Sequence, residues 1–161
     1  MSKIVVALGG NALQNGKEAR ADQQERVAKQ TIQQLMPLIK QGHQVVIVHG
    51  NGPQVGNIVL HEEAINTEAT PTMPLHACVG MRQGMIGYWL QKSLNEEFDR
   101  ENLAKDAITI VTQVEVSPED PAFSNPTKPI GPFYSEEEAQ KVAAEKGYEM
   151  REDSGRGWRR V

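Results

Sequence analysis

The sequence predicts an α/β protein built on an open, mainly parallel sheet, and three observations carry that reading. Two short apolar runs, Ile4 to Leu8 and Val45 to Val48, lack polar alternation, as expected of strands covered on both faces. Between them, Asp22 to Gln41 sets Ala28, Ile32, Leu35 and Ile39 on one helical stripe, and Gly42 closes it. A strand, a helix and a strand in that order cross over right-handed. The two strands should therefore run parallel and release their carboxyl ends at one edge.

That edge is where chemistry is expected. The first run ends in Gly9-Gly10-Asn11 and the second in His49-Gly50-Asn51-Gly52. Glycine at such turns should permit positive φ and let main-chain N–H groups approach a ligand, and open α/β sheets bind ligands outside the carboxyl ends of their strands. A small anion is the ligand that a pair of such turns suits.

The remaining elements follow in order. Gln54 to Glu63 reads as a helix, Thr67 to Pro74 as a loop, and Ala77 to Arg100 as a long helix with an apolar band at Met81, Met85, Ile86, Trp89, Leu90 and Leu94. Gly80, Gly84 and Gly87 interrupt that helix, each at up to ~1 kcal/mol of propensity relative to alanine. Close approach of another helix is the expected compensation. A subunit interface is one reading of this band, and core packing against the sheet is the other. Ile108 to Val116 alternates as a third strand. Prolines 118, 121, 126, 129 and 132 then exclude a regular central strand or helix, while Phe123, Ile130, Phe133 and Tyr134 supply apolar anchors. Ser135 and Glu138 spell a capping box for a helix through Glu145 that Gly147 should end. The chain thus divides into an α/β lobe over 1–117, a protruding lid over 118–149 and a return segment over 150–161.

Composition narrows the function classes. With 161 residues, 39% of them apolar, the chain can bury a sizeable core, and a net charge of −4 gives no bulk electrostatic reason to bind nucleic acid. The single cysteine, Cys78, excludes an intramolecular disulfide and a multi-cysteine metal site; it fits a reducing compartment and reads as a packing residue. No apolar run has the length of a membrane-spanning helix, and the chain enters its first strand at Lys3 without a signal segment. A cytoplasmic protein with no membrane partner is expected.

Five stretches carry a family resemblance: Ala7-Leu8-Gly9-Gly10-Asn11-Ala12-Leu13, His49-Gly50-Asn51-Gly52-Pro53-Gln54-Val55-Gly56, Gln83-Gly84-Met85-Ile86-Gly87-Tyr88, Thr127-Lys128-Pro129-Ile130-Gly131 and Gly155-Arg156-Gly157-Trp158-Arg159-Arg160-Val161. Gly-Gly-Asn alone is common, but the second and fifth stretches together with the proline-framed lysine are specific. Together they resemble carbamate kinase of the amino-acid kinase fold, across essentially every residue. The resemblance implies a three-layer α-β-α sandwich. It also implies reversible phosphoryl transfer between ATP and carbamate, giving ADP and carbamoyl phosphate, in the arginine deiminase route of arginine breakdown. ATP or ADP with Mg2+ would be co-substrate, with no tightly bound cofactor and no protein-bound metal, and the enzyme would be a homodimer through the 77–100 helical region.

By motif match, Gly9, Gly10 and Asn11 would hold the transferring phosphoryl group, and Gly50, Asn51 and Gly52 would hold the carbamate end. In phosphoryl transfer the protein mainly aligns the reactants and neutralises charge, so backbone donors and a cation matter more than a nucleophile. Related kinases of this fold carry a lysine two residues before the first Gly-Gly, where this chain has Ala7. The resemblance implies that Lys128, framed by Pro126 and Pro129, supplies the cation instead; read from composition alone, it is one basic side chain among 17.

Weaker candidates are His49, read as orienting its turn or assisting proton transfer, and Arg156, Arg159 and Arg160, read as a phosphate or partner contact or as a solvated tail. His61, Glu62 and Glu63 are adjacent in sequence and diverge on a helix, so they are not read as metal ligands. His76 and Arg82 depart from the family pattern, which has an acidic and a small polar residue there. The family carries a second, nucleotide-binding lobe after the fifth stretch, so the chain reads as a fragment truncated before that lobe and inactive alone. Two alternatives are an inactive binding or assembly module and another amino-acid kinase acting on a small carboxylate. Ala7 and Lys128 argue against the second.

Overall fold

The computed structural model describes residues 1–13, 20–51 and 54–161, which form two compact units. The first comprises Met1–Gly52 and His76–Val111. Its sheet is the parallel pair β1 (Lys3–Leu8) and β2 (Gln44–His49), in register from Lys3 opposite Gln44 to Leu8 opposite His49. The crossover is α1 (Ala21–Lys40), which ends where Gly42 takes a φ of 85°.

Helix α1 buries Val27, Ala28, Ile32, Met36 and Ile39 on the stripe that its spacing dictates, and Leu35 packs beside them. Ile86, Trp89, Leu90 and Phe98 of the long helix α3 (Leu75–Arg100) join the same cluster, as do Leu8, Val6, Val45 and Ile47 of the strands. Both helices therefore cover one face of the sheet. On the other face Val5 and Val46 are 67% and 53% exposed, although Ile4 to Leu8 and Val45 to Val48 are apolar without a break. The two-faced apolar pattern read from the sequence is real, but within the first unit only one face is used.

The glycines of α3 behave differently from expectation. A methyl group on Gly87 would lie 3.0 Å from Thr109 Oγ1, so close approach is made there by the chain after α3 rather than by a helix. At Gly80 and Gly84 an added methyl would meet nothing within 4 Å among the described residues. Met81 and Tyr88 on the same helix are exposed, while Cys78 is fully buried.

The third strand expected over 108–116 does not form a ladder among the described residues. The Ala107 amide donates to Asn95 Oδ1 just before this segment, but Ile108 and Ile110 are 80% and 73% exposed. Alternating side chains make a strand only when a neighbouring strand accepts the backbone hydrogen bonds, and none of the described strands pairs with this segment.

The second unit comprises Pro53–Leu75 and Thr112–Val161. It holds α2 (Gln54–Ala64), an antiparallel sheet in the order β3 (Ile130–Tyr134), β5 (Trp158–Arg160), β4 (Met150–Glu152), and α4 (Glu136–Lys146). Pro132 sits in β3, an edge strand with an irregular register, which is where a residue lacking an N–H is tolerated. Helix α4 opens with the capping box: Ser135 Oγ accepts from the Glu138 amide, and the Glu138 carboxylate accepts from the Ser135 amide at 2.8 Å. Gly147 closes it with a φ of 68°. The residues read as a lid thus share one unit with α2 and with the return segment. Among the described residues no helix is long and apolar enough to cross a membrane.

Candidate functional site

The first glycine turn is built by the end of β1 and braced from α1. Leu8 is buried, Gly9 is extended with φ −79° and ψ 176°, and Gly10–Ala12 make one 3-10 turn in which the Ala12 and Leu13 amides donate to the carbonyls of Gly9 and Gly10. The first amides of such a turn have no partner inside it. The Thr31 hydroxyl donates to the Ala12 carbonyl at 2.7 Å, and Leu13 is buried in the core, so the turn is fixed on two sides. Thr31 escaped the sequence reading because a polar residue on an apolar stripe carries no signal of its long-range partner.

The second turn follows β2. His49 Nδ1 lies 3.1 Å from the Gly50 carbonyl oxygen, a contact that orients the turn, and Asn51 Oδ1 is buried with no hydrogen-bond partner among the described residues. A buried amide oxygen without a donor costs about 1–3 kcal/mol, which makes it a natural contact for a ligand N–H. Gly52 lies outside the described residues, and Asn11 is described by its backbone.

The reason for glycine at these positions differs from the one expected. None of Gly9, Gly10 and Gly50 has a positive φ. Among the described residues, an alanine methyl at any of them would meet nothing within 4 Å. Glycine is not needed for the backbone conformation, then; what its missing side chain leaves is space beside the main chain that no other described residue fills. Because Leu8 and His49 are opposite partners, the two turns leave the sheet side by side. Ala7 lies exposed on the uncovered face of β1 and brings no charge to them.

Lys128 belongs to the second unit, two residues before β3, and its side chain is exposed with no ion pair among the described residues. The arginines beyond it are not a solvated tail. Arg159 donates to the Gly131 carbonyl at 3.1 Å, pairs with Asp153 at 3.2 Å and lies 4.9 Å from the centre of the Phe133 ring, which Arg156 also faces. The Arg156 hydrogen bond, aided by Arg159, holds the Asp153 carboxyl below the usual carboxylate range. Arg160 stacks 3.8 Å from the Tyr148 ring centre.

The acidic residues of α2 are engaged in holding the unit together. Glu62 accepts the Met73 amide at 3.0 Å. Glu63 accepts Lys146 Nζ at 2.5 Å and the Tyr148 hydroxyl, with Arg160 at 3.7 Å. Burial works to raise its carboxyl, but the Lys146 and Tyr148 hydrogen bonds and the neighbouring positive charges outweigh it, and the net direction is downward. Among the described residues no three His, Cys, Asp or Glu side chains are gathered as metal ligands.

Comparison with known proteins agrees with this geometry. The sequence profile of the amino acid kinase family matches residues 2–119. The chain is 54% identical over 160 residues to carbamate kinase 1 of Enterococcus faecium and 47% identical over 161 residues to the carbamate kinase of Pyrococcus horikoshii, covering 99% of this chain and 51% of each relative. Among solved structures it resembles the Giardia lamblia carbamate kinase bound to citric acid, with a TM-score of 0.90 and 43% identity over 99% of this chain and 51% of that one. The same enzyme bound to AMP-PNP gives a TM-score of 0.81 at 44% identity, again covering 99% of this chain. The chain spans about half the length of the curated relatives it matches.

Proposed function

We propose, from the premise that this chain belongs to the amino acid kinase family, that it forms the carbamate- and phosphoryl-binding half of a carbamate kinase. The observation that carries the proposal is the final rung of the parallel ladder, Leu8 opposite His49, which makes neighbours of the two turns. One turn offers the main-chain donors of Gly9, Gly10 and Asn11 to the phosphoryl group; the other offers Gly50, Asn51 and Gly52 to carbamate. A carbamate oxygen bonds to the γ-phosphorus of ATP as the bond to the ADP oxygen breaks, and the reverse step makes ATP.

Amides fixed before the reaction begins stabilise the charge on the moving group without reorganising. Lys128 adds the mobile positive charge that Ala7 does not. Bound nucleotide would bring Mg2+, held mainly by its phosphates. The reading extends to a cytoplasmic homodimer using the exposed Met81 and Tyr88 side of α3, and to ATP formation at the end of arginine breakdown.

The test is a coupled ATP-formation assay from ADP and carbamoyl phosphate, on this chain joined to the second half of the Enterococcus faecium relative. The joined enzyme is expected to turn over, and Lys128→Ala to lower its rate on the order of a hundredfold, roughly 3 kcal/mol of transition-state stabilisation. An inactive joined enzyme beside an active Enterococcus faecium control would overturn the reading. An unchanged rate in Lys128→Ala would remove only the lysine from it.

A further inference from the structure

Two of the five sequence stretches meet inside the second unit. A methyl group built on Gly56, in the first turn of α2, would stand 2.7 Å from the Gly131 nitrogen, closer than a real side-chain carbon sits to backbone. The two main chains touch there. Gly131 has a φ of 76°, a conformation that side chains resist, and Arg159 grips its carbonyl from the other side. Val59 and Leu60 of α2 line the cleft beside this contact together with Ile130 and Pro132 of β3. One helical level further along α2, Glu63 binds Lys146, Tyr148 and Arg160. Arg160 is the register partner of Ile130, so the second attachment returns to the same strand.

Lys128 stands three residues before Gly131, between Pro126 and Pro129. A lysine ammonium on a four-carbon stem finds its own angle, but the reach of that stem depends on where its Cα is held. Proline at 126 and 129 narrows the backbone choices of the loop, and the Gly56 contact fixes its end.

We infer that Gly56 and Glu63 of α2 are positioning residues that seat the Lys128 loop through Gly131 and Ile130. The role assigned to Lys128 rests on the function proposed above; the seating itself does not. Neither residue touches substrate. Their work is to hold the lysine-bearing segment at one place on α2, because a displacement of about 1 Å in a reacting group can cost on the order of a hundredfold in rate.

The experiment has two arms. In the 161-residue chain itself, amide hydrogen exchange is followed at Ile130 and Gly131, with the amides of α4 as an internal reference. Gly56→Ala should speed exchange at Ile130 and Gly131 by about tenfold or more and leave α4 unchanged. If α4 also loses protection the variant has unfolded the unit, and Glu63→Gln then decides, with a rise of about threefold expected at Ile130 and Gly131. Unchanged exchange there in the deciding variant overturns the seating.

In the joined enzyme, Gly56→Ala should lower kcat about tenfold with KM for carbamoyl phosphate moved less than about twofold, and should add nothing once Lys128 is alanine. A full additional loss in the Lys128→Ala background overturns the link to the lysine. If Lys128→Ala alone is without effect, the role proposed for the lysine has failed, and the exchange arm still judges the seat.

Discussion

Leu8 and His49 face each other on the last rung of the β1–β2 ladder, and Gly9 and Gly50 leave the sheet as neighbours in consequence. A right-handed crossover through α1 produces this almost unavoidably, since it brings the second strand back parallel and beside the first. The chemistry proposed there depends on main-chain groups, which no side-chain substitution removes.

This makes Gly10→Ala an informative variant. An alanine methyl at Gly10 meets no atom of the described residues within 4 Å, and the φ there is not positive, so the variant should fold with stability equal to or up to about 1 kcal/mol above the parent. The methyl would occupy that space beside the main chain. Phosphoryl transfer by the joined enzyme should fall about a hundredfold or more, at a thermal midpoint no lower than the parent's. Full activity in Gly10→Ala would show that the transferred group is held elsewhere.

The α/β order, both glycine turns, the α4 capping box and its closing glycine were legible because each is written in consecutive residues. Pro132 in an edge strand and the strands β4 and β5 were not, since three-residue strands hold too little pattern to be distinguished from a return segment. The alternation from Ile108 to Val116 was legible yet unfulfilled, because a strand is completed by a partner and periodicity reports only the propensity for one. Asp153, Thr31 and Glu63 were missed for a shared reason. Each acts through residues far along the chain or through a pairing that its own neighbourhood does not announce. The motif list did name Gly56 and Gly131, but not that they touch.

Glu63 gives the second unit an acid-sensitive attachment. Its carboxyl is lowered in the folded chain from an ordinary 4.5, so its contribution to stability is complete above that value and is lost as pH falls through the folded value. Asp153, also lowered, acts in the same direction. Urea unfolding midpoints should therefore drop between neutral pH and pH values below 4.5. Glu63→Gln should lose about 1–3 kcal/mol at neutral pH and show a smaller acid-dependent drop than the parent. Equal pH dependence in the two proteins would place the acid sensitivity elsewhere.

Arg82 presents the opposite case, a charge that the first unit holds at a loss. It is 1% exposed; its guanidinium donates to Gln24 Oε1 and to Met85 Sδ at 3.7 Å and lies 5.4 Å from the centre of the Trp89 ring, while Nε has no partner among the described residues. None of these neighbours is a carboxylate. Burial pushes its pKa down to about 10, well below the ordinary guanidinium value, which means that the fold disfavours the charged form. The penalty is present at every pH below the folded value and fades only as pH rises above about 10. Removing the cation alone would leave the Gln24 carbonyl without this donor, so the test replaces both. Arg82→Met with Gln24→Leu should raise the unfolding free energy at neutral pH by roughly 1–4 kcal/mol, by analogy with apolar replacement of buried charged networks. A thermal midpoint below the parent's would mean that the guanidinium is required to pack α1 against α3, through the Gln24 bond.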